Sequence, residues 1–156
     1  MLFRSKLVEI PFHTGNHDLD ETAKTVNETV AVLRGVAHKI TPVKPDVAAR
    51  LESIAKTAAK IRDALVESPG DLPKVRRFLN YYLPTTEKLA SKYATLVAQE
   101  ADSTNIKEAS LAIENALAQV DTSFANQLDA LFADDALDVS TDITVLETLL
   151  ARDNLK

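Results

Sequence analysis

Three groups of side chains have types and spacings that suggest chemistry. Asp18-Leu19-Asp20-Glu21-Thr22 has the D-x-D-x-T spacing of a phosphatase with an aspartyl nucleophile, where a second Asp two residues on serves as general acid and base. That chemistry needs the motif at the end of a buried strand, yet here it follows His13-Thr-Gly-Asn-His17, a loop-like stretch. The structural alternative is an acidic helix N-terminus, where the backbone dipole favours carboxylates. His13 and His17 have the i, i+4 spacing of two metal ligands on a helix. Gly15 and Asn16 between them oppose a helix, and no third ligand follows. Asp134, Asp135, Asp138 and Asp142 are oxygen donors of the kind Mg²⁺ or Ca²⁺ takes. They lack the glycine and bidentate Glu of a calcium-binding loop, so they read first as loop and capping residues.

Lys74, Arg76 and Arg77, followed by Tyr81 and Tyr82, form the one local concentration of basic and aromatic groups. Three cations are few for a nucleic-acid surface. Tyr82 falls on an apolar stripe, whereas Tyr81 is expected to face solvent. No phosphate-cradling glycine loop, G-x-S-x-G or H-E-x-x-H occurs, so neither a cofactor nor a catalytic metal is expected. The chain leans away from being an enzyme.

The elements that must carry these residues are helices. Apolar residues make up 46% of the 156, mostly Ala, Leu, Val and Ile, and the three glycines are too few for a fold built on tight turns. Leu19, Ala23, Val26, Val30, Leu33, Ala37 and Ile40 recur in steps of four and three and predict a helix from Asp18 to His38 or Lys39. Pro45 at a first helical position opens a second helix, which runs to Glu67 and ends at Ser68-Pro69-Gly70. Residues 71–99, capped by Asp71, form one helix kinked at Pro84 or two abutting helices. Asn105 and Glu108 suggest a capping box for a fourth helix of some 28 residues that keeps a heptad repeat to Phe132. A short fifth helix covers Ser140 or Thr141 to Asp153. The first twelve residues read as extended. The expectation is therefore all-α: a single domain over 1–156, an elongated antiparallel bundle of four to five helices behind an extended N-terminal segment (1–17). Short connections make sequential helices antiparallel.

No apolar run approaches the ~18 residues of a transmembrane helix, and Arg4, Lys6 and Glu9 break any signal-like opening. The absence of cysteine fits a reducing cytoplasm, at most peripheral to a membrane. The net charge of −5 is divided unevenly: residues 1–100 hold 15 basic and 12 acidic side chains, and residues 101–156 hold 3 and 11. Such polarity suits a basic protein partner, or contact between the two halves. One form of that contact has Arg76 and/or Arg77 meeting the Asp135–Asp142 segment; otherwise the clusters are separately solvated. The charge balance disfavours nucleic acid.

Two stretches resemble a known family. Phe78-Leu-Asn-Tyr-Tyr82-Leu83-Pro84-Thr-Thr86, continuing through Leu89 to Tyr93, is similar to the tyrosine-leucine-proline segment of the 5-bromo-4-chloroindolyl phosphate hydrolysis (XpaC-like) proteins. Asp134-Asp135-Ala-Leu-Asp138-Val-Ser140-Thr-Asp142-Ile143 through Leu146 resembles that family's C-terminal signature. The likeness covers roughly residues 71–155, with residues 1–70 alike only in being helical. It implies a hydrolysis phenotype and association with toxic-anion (tellurite) resistance proteins. Three functions follow as expectations: a helical interaction or scaffold protein in an envelope-stress or toxic-anion response; a phosphate-ester hydrolase using the Asp cluster with Mg²⁺; and a peripheral membrane-remodelling scaffold. The interaction surface expected comprises Lys74, Arg76, Arg77, Tyr81, Asp134, Asp135, Asp138 and Asp142.

Overall fold

The computed structural model describes residues 14–99 and 102–154; the extended segment expected over residues 1–12, and His13 with it, lie outside them. Helix covers 91% of the described residues, and none of them forms a strand. The helices are α1 (His17–Ile40), α2 (Pro45–Glu67), α3 (Leu72–Ala98), α4 (Thr104–Leu131) and α5 (Ala133–Asn154), with a 3₁₀ turn at Pro69–Asp71 between α2 and α3.

Local chemistry sets the boundaries. Gly15 takes φ +87°, a conformation glycine adopts without a Cβ penalty, and turns the chain into α1. The Asn16 side chain accepts from the Leu19 amide at 3.1 Å, satisfying one free donor of the first turn. The Asp20 carboxylate reaches back to accept from the Thr14 amide and hydroxyl. His38 and Lys39 occupy the last turn of α1, where cations meet the negative end of the dipole. The cap expected from Asp71 on α3 does not form; Asp71 pairs with Lys74 instead. The capping box expected from Asn105 and Glu108 is absent as well, since α4 begins two residues earlier, behind Ser103.

Pro84 lies inside α3, which continues past it as one element. Proline leaves the Asn80 carbonyl without its donor. Both Asn80 and Pro84 sit on the exposed face, where water reaches that carbonyl, so the lost hydrogen bond does not end the helix.

Polar cross-links give the topology. Arg34 with Glu52, and Arg62 with Asn27, make α1 and α2 an antiparallel hairpin. Tyr93 with Glu114, and Lys74 with Asp134 at the start of α5 just beyond the end of α4, do the same for α3 and α4. Arg76 with Asp18 and Thr29 with Glu87 then lay α3 parallel to α1, and Arg50 and Ser53 tie α2 to α4 through Asp121. The four helices form a square in which α2 and α3, consecutive in sequence, occupy opposite corners. The 3₁₀ turn carries the chain across that diagonal. Sequential helices from α1 to α4 therefore run antiparallel as expected, with α2 and α3 not packed side by side, whereas α5 does not fold back on α4 and departs from that expectation.

The core is one continuous cluster along the square's axis, with Leu33, Leu51, Ile54, Leu79, Leu117 and Phe124 among its fully buried members. Phe78 stacks on Tyr82 at 4.3 Å between centroids, and Phe124 meets Phe78 edge-on at 5.0 Å. Each of α1 to α4 buries the face its periodicity marks. α5 does not: all of its described side chains are exposed. Joined through Phe132, α4 and α5 make one helix bent by 40°, and α5 continues past the end of the bundle as an arm.

Candidate interaction surface

Of the residues singled out for chemistry, Asp18, Lys74, Arg76, Arg77, Tyr81, Asp134 and Asp135 lie at the end of the bundle where α1 and α3 begin, α2 and α4 finish and α5 departs. Arg76, Arg77, Asn80 and Tyr81 lie on successive turns of α3 and line an open cleft of about 730 Å³. Its other wall holds Asn16 and Asp18 from the start of α1, with Pro69 and Gly70 from the diagonal turn. Arg76 spans the cleft to Asp18 at 3.1 Å, both half-exposed. Arg77 makes no ion pair among the described residues. Tyr81 is 64% exposed, as its position off the stripe predicted.

Lys74 faces the other way. Its Nζ lies 3.0 Å from Asp134 and 3.2 Å from Asp71, and those two hydrogen-bonded carboxylates, Asp134 first, raise its pKa above the ordinary lysine value. The basic and acidic clusters thus do touch, through Lys74 and Asp134. Arg76 and Arg77 do not meet the Asp135–Asp142 segment, because on α3 their side chains project toward α1 and the cleft.

The acidic cluster itself is not a loop. Asp134, Asp135, Asp138 and Asp142 lie on α5, which starts at Ala133, well before the expected Ser140 or Thr141. Helical residues rise 1.5 Å each, so these carboxylates spread along the arm instead of converging. Among the described residues no three His, Cys, Asp or Glu side chains come together to hold a metal ion. Asp18 and Asp20 likewise do not act together: Asp18 pairs with Arg76, and Asp20 is spent on Thr14.

On the opposite side, where α2 and α4 end, a second cleft of about 450 Å³ has Leu128, Leu131 and Phe132 among its lining and Asp63, Glu67, Asp71 and Asp135 around them. Phe132 then opens a stripe along α5, through Ala136, Val139, Ile143, Leu146 and Leu150, in steps of four and three. The larger members are 47–56% exposed. Sequence reasoning missed this surface. The heptad of α4 shifts register at Phe132, and the four aspartates had suggested a loop, although the steps from Phe132 to Leu150 were there to be counted.

Bundle and arm define the class: an all-α antiparallel bundle carrying a projecting amphipathic helix, with no helix long and apolar enough to cross a membrane among the described residues. The 5-bromo-4-chloroindolyl phosphate hydrolysis protein family matches residues 4–146, nearly the whole chain, and the protein belongs to that family. The match extends the likeness, first visible over residues 71–155, into the N-terminal half. No curated protein and no solved structure matches the chain.

Proposed function

We propose that this protein is a helical interaction protein whose docking element is α5. One observation supports the reading above the others: α5 is 22 residues long and buries none of them, while Leu137, Val139, Ile143, Val145, Leu146, Leu149 and Leu150 stand open to solvent. A helix that leaves its apolar stripe uncovered has an interface to make. The family's association with toxic-anion resistance proteins suggests the kind of response in which a partner would be met.

The test places a photocrosslinking benzoylphenylalanine at Leu146 in the native cell, with a control at Lys24 on the exposed face of α1. Intermolecular adducts are expected from Leu146 and none from Lys24. No adduct from Leu146, or equal yields from both, would remove α5 as the docking element.

The hydrolase alternative has less support, because the aspartates it would use are spread along α5 or engaged elsewhere. The purified protein is expected to leave aryl phosphates intact with or without Mg²⁺. Turnover that disappears in Asp18→Asn would reverse this and revive the phosphatase chemistry.

A further inference from the structure

The reading of α5 as a docking arm leaves its occupant open, and the charges around the seam narrow it. In heptad terms Ala136, Ile143 and Leu150 take position a, and Phe132, Val139 and Leu146 take position d. The flanking g positions then include Asp135 and Asp142, and an e position holds Glu147. The e and g sites choose a partner helix in coiled-coil packing, and the charged ones here are all carboxylates, the others being Ala133, Ser140, Leu149 and Asn154. Over its length α5 carries six acidic residues against one cation, Arg152, a formal −5.

The same pattern continues onto the bundle. Phe132 and Asp135 also line the cleft between the ends of α2 and α4, where Leu131 is bordered by Asp63 and Glu67, with Lys60 as the one cation in the lining. Apolar floor and acidic rim thus run together from the bundle onto the arm.

We propose that α5 and this adjoining cleft receive a basic amphipathic helix of a partner protein. Its apolar a and d residues pack on the seam from Phe132 to Leu150, and Lys or Arg at its e and g positions faces Asp135, Asp142 and Glu147. This rests on α5 being the docking arm and goes further by naming what docks. A second copy of the chain is the wrong occupant. In a parallel pair position g of one helix faces the next e of the other, which sets Asp142 against Glu147; an antiparallel pair sets g against g, aspartate on aspartate. An anionic lipid surface repels the same charges.

The probe is a labelled helical peptide of about three heptads with Ile at a, Leu at d and Lys at e and g, matched by a twin with Glu at e and g. Binding to the full chain is followed by fluorescence anisotropy. The Lys peptide is expected to bind at least about tenfold more tightly than the Glu peptide, with the difference shrinking as salt rises from about 50 to about 300 mM. Leu146→Asp should abolish binding with an unchanged circular dichroism melt. Asp135→Lys/Asp142→Lys/Glu147→Lys should invert the preference toward the Glu peptide.

Equal affinity for the two peptides would overturn the proposal, since apolar area alone would then explain docking. An α5-dependent dimer in sedimentation would also overturn it, as would vesicle binding lost in Leu146→Asp or crosslinks from Leu146 that stay within the chain. If neither peptide binds while intermolecular crosslinks from Leu146 persist, the basic helix is wrong and the docking arm stands. If both are absent, the arm falls with it.

Discussion

Phe124→Ala is expected to destabilise the bundle by about 3–5 kcal/mol in urea unfolding, with a fall in Tm on the order of 10 °C. Phe124 has no exposed surface and touches both rings of the Phe78–Tyr82 stack, so truncation opens a cavity between α3 and α4 that neighbouring helices cannot fill without moving. The informative comparison is Leu146→Ala on α5, which removes three apolar carbons, half as many, from a residue 55% exposed. That change should shift stability by less than about 0.5 kcal/mol. Equal costs at the two positions would mean that α5 is packed against something in the isolated protein, and the projecting arm would be lost as a description. The contrast therefore tests the fold and the availability of the docking surface together.

The second large effect appears at high pH. Tyr93 is fully buried, and its hydroxyl donates to the Glu114 carboxylate at 2.7 Å. Burial first, then the hydrogen bond to Glu114, pushes its pKa far above the ordinary tyrosine value of 10.0. The folded protein holds the phenolic proton where the unfolded chain releases it. The stabilisation is therefore fully present below about pH 10 and is lost as pH rises toward the folded-state pKa. Between about pH 10 and the folded-state pKa, unfolding free energy should fall by about 1.4 kcal/mol per pH unit from this residue. Tyr93→Phe should cost about 1–2 kcal/mol at pH 7, because Glu114 loses its donor, and should flatten the decline at alkaline pH. Parallel urea midpoints for both proteins at pH 7 and about pH 11 decide the matter; an equally steep decline in Tyr93→Phe would show that Tyr93 titrates normally.

Much of this architecture was legible in the residues alone. The four-and-three spacing from Leu19 to Ile40, the proline at position 45 and the apolar repeat ending near Phe132 placed α1, α2 and α4 to within one or two residues. Such features are local: a helix buries the face its own period marks, and prolines end or start helices through their own geometry. The exposure of Tyr81 followed from the same logic. The family likeness was carried by short motifs around Tyr82-Leu83-Pro84 and Asp134–Asp142, again readable without coordinates.

What stayed hidden was relational. Whether Arg76 meets Asp18 or Asp135 depends on which helix lies beside α3, and that was decided by the 3₁₀ turn that carries the chain across the diagonal to put α3 against α1. The cap expected at Asp71 failed because Lys74 offered that carboxylate a charged donor, and the one expected at Asn105 failed because α4 begins before it. The fate of α5 was the least legible of all. Its stripe from Phe132 to Leu150 has the period of a core helix, and periodicity reports that a face is apolar without reporting what covers it. The sequence by itself determined the helices and their apolar faces, because those arise from neighbours along the chain. Only the tertiary structure decided that four of those faces close on one another while the fifth remains open, because the square of α1 to α4 is complete and α4 bends its continuation away from it.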